Sequence, residues 1–154
     1  MLAMAWRSGL SPVWLGKREM FRGPFGPLFR ALGGIEVDRD RPAGIVERLA
    51  ARAKSGRVST IVVPPEGTRS AGEFWKSGFR RIAIDADVPI VLSYLDGPTR
   101  TGVFGPSFRA SDDVVADMDI IREFYSDKRG VRPGNVTAPR LREETGIDRA
   151  TEVE

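Results

Sequence analysis

Residues 62–81 read VVPPEGTRSAGEFWKSGFRR. Within them a carboxylate (Glu66), two hydroxyls (Thr68 and Ser70) and two cations (Arg69 and Lys76) gather around a Gly-Thr turn, directly after a β-branched run. Gly67 permits a tight turn with positive φ, which turns backbone N–H groups outward. Arg69 supplies a planar fork that pairs with two oxygens of one anion. Lys76 adds a second cation, and Glu66 can anchor the fork or a neighbouring cation. The chemistry these types suit is capture of a phosphate group. They also fit a solvated turn with an incidental Glu66–Arg69 pair, since charged surface loops are common. A second stretch, GGIEVDR (33–39), ends a short strand on Arg39. Taken by itself it reads as a strand followed by an N-capped helix.

What the chain lacks narrows the chemistry. It contains neither His nor Cys. A Ser-His triad is therefore impossible, disulfides and thiolate metal sites are excluded, and no metal site is expected. GLSPVWLGK (9–17) ends in Gly-Lys but has the wrong spacing for a phosphate-binding P-loop, and no G-x-S-x-G elbow occurs. Asn135-Val136-Thr137 matches a glycosylation sequon, read as chance.

The 154 residues are one domain's worth. Net charge is +3 but unevenly spread: 11 basic and 5 acidic side chains in residues 1–60, 7 and 11 in residues 111–154. An Arg-rich first half admits phosphorylated small molecules, phospholipid head groups or nucleic acid as partners. No nucleic-acid-binding signature is present and the C-terminal part is acidic, so no nucleic-acid partner is expected. No apolar run approaches the roughly 18 residues of a spanning helix. The expected location is the cytoplasm, with peripheral contact at the inner face of the membrane.

Hydrophobic periodicity places these residues on elements. PVWLGK (12–17) predicts a strand. Residues 19–34 have apolar side chains at helical spacing, with Pro24 and Pro27 bending the helix. IEVD (35–38) alternates as a strand. Asp40 and Pro42 open a helix with Ile45, Val46, Leu49 and Ala53 on its inner face, ended by Gly56. VSTIVVP (58–64) and VPIVLSYL (88–95) read as buried strands, with a helix over about 78–86 between them. TGVFGPSF (101–108) reads as an edge strand because Pro106 cannot donate to a ladder. A last helix opens at Ser111 and carries a stripe of Val114, Met118, Ile121 and Tyr125. Residues 131–154 read as an irregular C-terminal tail after a domain of residues 1–130.

Strands alternating with helices predict an α/β fold, a single domain with a largely parallel central sheet flanked by helices. Ligands of such sheets sit at the carboxyl ends of strands. PPEGTRS and Arg39 both follow strand ends, so two guanidinium groups would face one edge if those strands are neighbours.

PPEGTRS, followed by FWKSGFRRIAIDADVPIV and preceded by LGKREMFRGPFGPLFRALGGIEVDR, resembles the glycerophospholipid acyltransferase family, which includes 1-acyl-glycerol-3-phosphate acyltransferase. Three separated blocks occur in the family's order between about Trp14 and Leu95. The resemblance implies a glycerol-3-phosphate acyltransferase-like fold. It also implies transfer of a fatty acyl group from an acyl thioester, on coenzyme A or acyl carrier protein, to a hydroxyl of a glycerol phosphate or lysophospholipid. No bound cofactor is implied. Arg39 would contact the acceptor's phosphate. Glu66, Gly67 and Arg69 would form the rest of its pocket, with Thr68 and Lys76 beside them. Val88, Pro89, Ile90 and Val91 would lie along the acyl path, with Leu92 standing where many members have a second Pro.

The family's His-x4-Asp block, in which the His acts as general base and the Asp orients it, has no counterpart here. The expectation is a chain truncated at its N-terminus, lacking any catalytic residue of its own and incompetent by itself. The alternative is a non-catalytic relative that binds phosphate or lipid. A further expectation is membrane contact through Phe21, Phe25, Leu28 and Phe29 with Arg22 and Arg30; the same apolar residues also fit a core.

Overall fold

The fold is that of a computed structural model describing residues 2–37, 43–67, 72–128, 130–131 and 133–146. It is mixed α/β, with a parallel sheet flanked by helices, as the alternation of strands and helices predicts. The chain divides into two compact units, Met1–Pro64 with Arg81–Val88, and Pro65–Arg80 with Pro89–Glu154.

The first unit is built on three parallel strands, β1 (Pro12–Lys17), β2 (Gly34–Val37) and β3 (Thr60–Val62), in the order β2-β1-β3. Helix α1 (Leu2–Arg7) precedes β1, with Ala5 buried. The bent helix expected over 19–34 is two short helices, α2 (Arg18–Arg22) and α3 (Gly26–Ala31), broken at Gly23-Pro24. Pro27 lies in the first turn of α3, where its missing N–H costs nothing. Phe21 is buried beneath them and meets Trp14 at 5.9 Å and Phe29 at 6.2 Å between ring centroids. The Trp14 indole donates to the Leu32 carbonyl at 2.9 Å. Gly16 is required here, because a Cβ would stand 2.8 Å from the Trp14 ring and 2.9 Å from Phe21.

Helix α4 (Ala43–Lys54) follows β2, and α5 (Gly78–Ala86) supplies Ile82 to the same core. Ile45, Val46, Leu49 and Ile82 are buried together against Val13, Leu15, Ile35, Val37 and Ile61 of the sheet. Ala50 is buried too, and Ala53 only partly. Asp40 and Pro42, expected to open α4, lie outside the described residues.

β2 and β3 are not neighbours, as the sequence reading required of the strands carrying Arg39 and PPEGTRS. Both run parallel to β1, so their carboxyl ends share one edge, but β1 lies between them. Two strand spacings separate them laterally, about 10 Å. The register also staggers them, since Val37 pairs with Lys17 and Val62 with Trp14.

The second unit contains β4 (Ile90–Asp96) and β5 (Thr101–Phe108), an antiparallel pair. β4 was expected as a strand buried on both faces within the parallel sheet. Among the described residues it pairs only with β5, and while Leu92 is buried, Val91 and Leu95 are exposed. Helix α6 (Val114–Tyr125) packs Met118 and Ile121 into a core with Trp75, Leu92 and Leu141. It opens at Asp113 rather than Ser111: one Asp113 oxygen accepts from the Val115 and Ala116 amides at 2.9 and 3.0 Å.

Ser111 is instead bound to buried Asp117, its amide donating to both carboxylate oxygens at 3.0 and 3.1 Å. Arg80 pairs with the same carboxylate at 2.6 Å and also donates to the Ser111 carbonyl. Residues 133–146 are irregular in backbone, with 3-10 turns at Pro133–Asn135 and Arg142–Thr145, yet Thr137 and Leu141 are buried. Arg122 of α6 holds this stretch through Glu144 at 2.6 Å and the Pro139 carbonyl at 3.3 Å.

Asp117 is the acceptor on which this arrangement depends. Asp117→Asn removes the charge opposite Arg80 and leaves that guanidinium partly buried without its counterion. A loss of about 3–5 kcal/mol is expected, read as a lower urea midpoint with an unchanged slope.

Candidate active site

The PEGTRS turn reaches the described structure at Glu66 and Gly67. Together with Gly72, Glu73, Phe74, Lys76 and Arg142 they line an open recess of about 280 Å³ within the second unit. Gly67 has φ +64°, and a Cβ there would stand 3.2 Å from Cγ of Lys76. The turn therefore closes over the Lys76 stem in a conformation only glycine adopts without strain. The Lys76 amide donates to the Pro65 carbonyl at 2.7 Å, which fixes the base of the loop. The Lys76 side chain is exposed and its ammonium makes no ion pair among the described residues.

Glu66 has a different partner from those its neighbours in sequence suggested. Its Oε1 accepts the Thr137 amide at 3.1 Å. The Thr137 hydroxyl accepts from the Gly72 amide at 2.8 Å, and its carbonyl accepts from the Trp75 indole at 3.0 Å. Trp75 is further tied to the C-terminal stretch by its amide, which donates to the Arg140 carbonyl at 2.9 Å, and by a bridge to Leu141. Arg140 donates to the Glu73 carbonyl at 2.9 Å. The Phe74 ring lies 4.9 Å from the Arg140 guanidinium and 5.6 Å from that of Arg142.

The structure thus gathers Glu66, Gly67 and Lys76 at one recess. Arg39, Thr68 and Arg69 lie outside the described residues. Val88, Pro89, Ile90 and Val91 do not share one environment. The Val88 amide closes α5 on the Ala83 carbonyl, Pro89 and Val91 are exposed, and Ile90 packs against the core of the second unit. The sequence reading gave no role to Phe74, Thr137, Arg140 or Arg142. A Phe-Trp pair just after the turn was the available signal, since large aromatics there must pack on something. Among the described residues, no group of three or more His, Cys, Asp and Glu side chains is arranged to hold a metal.

Among the described residues the lining charges balance, with Glu66 and Glu73 against Lys76 and Arg142. Glu66 is engaged by the Thr137 amide, whereas Lys76 is exposed. Tyr125 lies behind this network, donating to the Ser93 carbonyl at 2.8 Å. Burial pushes its phenol above the ordinary 10.0; the Ser93 hydrogen bond pulls it down and the Glu66 charge adds to the rise.

Two outcomes follow from this geometry. Thr137→Val keeps the shape and removes the acceptor of the Gly72 amide. A loss of about 1 kcal/mol is expected, with faster hydrogen exchange at Gly72 than at helix α6 amides. Tyr125 has a raised folded-state pKa, so its contribution is complete below 10.0 and is lost as pH rises through the folded value. Tyr125→Phe should flatten the alkaline fall in stability, measured by urea unfolding across that range.

A family model described as acyltransferase matches residues 1–94, which include the PEGTRS turn and every lining residue of the recess except Arg142. No curated protein and no solved structure matches the chain. The family match covers more than half of the 154 residues, and on that ground the chain belongs to the acyltransferase family.

Proposed function

We propose that this protein serves transfer of a fatty acyl group from an acyl thioester to a hydroxyl of a glycerol phosphate or lysophospholipid, and that the 66–76 loop holds the acceptor's phosphate. The observation that carries this reading is the Gly67 turn seated on Lys76 at the rim of a recess, in the part of the chain that matches the acyltransferase family. Lys76 offers an exposed ammonium, and Arg142 brings a guanidinium held on the Phe74 ring. Arg39 and Arg69 are assigned the same phosphate-binding role from their motifs. Thr68 adds a hydroxyl donor, and the acyl chain runs past Val88, Pro89, Ile90 and Val91. The donor thioester is carried on coenzyme A or acyl carrier protein, and no other cofactor is invoked.

Acyl transfer to a hydroxyl needs a base to take the hydroxyl proton as the oxygen attacks the thioester carbonyl. The tetrahedral intermediate then collapses with expulsion of the thiolate, which takes up a proton. Imidazole is the usual base near neutral pH, and the chain has no His. Such a base contributes about 10²–10⁴ in rate. The chain is therefore expected to bind acceptor and turn it over very slowly. The absence of His also favours a second reading, a relative that binds the phosphorylated ligand without acting on it.

Calorimetry with water-soluble glycerol 3-phosphate tests the site, with glycerol as the control. Binding of the phosphate form alone is expected, weakened about tenfold by Lys76→Gln and by Arg69→Ala, the worth of one charge-assisted hydrogen bond. No binding to the folded chain would reject both readings. Added imidazole separates them: acylation of the acceptor should rise in the parent chain and not in Lys76→Gln if the chain is a transferase, and stay flat in both if it only binds.

A further inference from the structure

The expectation from sequence placed Phe21, Phe25, Leu28 and Phe29, with Arg22 and Arg30, on a membrane-facing surface, or the same apolar residues in a core. The structure removes two of them from the surface, Phe21 being buried and Phe29 half-buried against Trp14 and Phe21. It leaves Phe25 and Leu28 outside, together with Met20 and Leu32. Phe25 is 63% exposed, Leu28 53%, Met20 40% and Leu32 38%. Phe25, Leu28 and Leu32 follow i, i+3, i+7 spacing, so they share one side of α3 and its flanks.

This ledge is firmly built. Gly26 is buried where a Cβ would stand 2.1 Å from the Phe21 carbonyl oxygen, so α3 starts in close contact with α2. Phe25 touches Phe29 at 6.5 Å between centroids, and Phe29 rests on Trp14 at 6.1 Å. The exposed side chains are thus presented by packed helices.

Charge decides what they meet. Residues 17–32 hold Lys17, Arg18, Arg22 and Arg30 and a single acid, Glu19. All four cations are exposed. Arg30 is shared with Glu36 at 3.7 Å and with the Phe21 ring, whereas Lys17 and Arg22 make no ion pair among the described residues. An apolar ledge bracketed by cations matches the boundary between acyl chains and anionic head groups. A second copy of the chain fits poorly, because a two-fold contact through this ledge brings the same cations together.

We infer that Met20, Phe25, Leu28 and Leu32 enter the interface of an anionic lipid bilayer while Lys17 and Arg22 pair with its head groups. The site lies on the first unit and does not depend on the phosphate recess. The apolar side chains would sit at the level of the upper acyl chains, with the cations at the depth of the lipid phosphates.

Vesicle sedimentation of the full chain tests this, using equimolar phosphatidylcholine and phosphatidylglycerol against phosphatidylcholine alone. Neither vesicle contains a lysophospholipid, so failure of acceptor binding leaves the result unaffected. Partition onto the anionic vesicle is expected, falling about fivefold for each of Lys17→Gln and Arg22→Gln and about tenfold or more for Phe25→Ser with Leu28→Ser. Equal partition onto the neutral vesicle, or no loss in the double Ser variant, would overturn the inference. So would a double variant that dissolves a dimer in sedimentation velocity and binds vesicles as the parent does. Should the double variant misfold, Phe25→Trp replaces it, and an added indole emission that does not shift to the blue on anionic vesicles has the same force.

Discussion

Thr137 ties the candidate site together through all three of its polar groups. Its amide reaches Glu66, its hydroxyl receives Gly72 and its carbonyl receives Trp75. The partners lie 62 to 71 residues away in sequence, so each bond closes a long loop whose entropy cost grows only logarithmically with length. Once the first bond is made, the other two add little further ordering cost. A buried hydroxyl with its amide and carbonyl all satisfied is stabilising, whereas the same residue with one group unpaired would cost free energy. This all-or-none character fixes Glu66, Gly72 and Trp75 to one residue of the C-terminal stretch. The incidental Glu66–Arg69 pairing considered for the turn has no need to supply that order, because Thr137 supplies it.

The same constraint explains why the recess draws on more of the chain than the family match covers. Residues 1–94 supply the turn, Phe74 and Lys76. Thr137, Arg140 and Arg142 come from a stretch beyond it, held against α6 by Arg122 and by buried Leu141. Arg80 links the start of α5 to Asp117 of α6, and Asp117 in turn holds Ser111. Support for the loop thus rests on two ionic anchors and one apolar one, all within the second unit. A substitution at Asp117 or Arg122 can disturb the recess without touching a lining residue.

Much of this was legible in the sequence where one periodicity dominated. Ile45, Val46 and Leu49 mark the inner face of α4, and Met118 and Ile121 that of α6, because helical spacing and burial agree there. The pairing of β4 is not legible in VPIVLSYL, because a run interrupted only by Ser93 does not say whether both faces are covered. Only pairing with β5 decides that Leu92 faces inward and Val91 outward. The start of α6 was misplaced by two residues because Ser111, Asp112 and Asp113 are all competent caps, and the choice falls to distant Asp117 and Arg80. The packed C-terminal stretch was missed because Thr137 and Leu141 are isolated buried residues in a polar run with no period. Gly67 was read correctly from its type alone, since a glycine after Pro-Pro-Glu and before Thr has positive φ as its simplest use.

The phosphate-binding role proposed for the recess requires that its described charges, two acidic and two basic, favour a dianion. Counting lining side chains treats all four charges as equal, and their surroundings make them unequal. Glu66 is half-buried, and one of its oxygens accepts the Thr137 N–H. Lys76 is exposed, and its charge is carried at the end of a flexible stem that can follow the ligand. Arg142 meets the Phe74 ring with its guanidinium. Glu73 is exposed, and water screens its repulsion before a ligand arrives. An incoming dianion would therefore meet the cations first and the screened or engaged carboxylates second. Selectivity in such a site comes from which charges are free to move toward the ligand, a property that the sum of charges does not record.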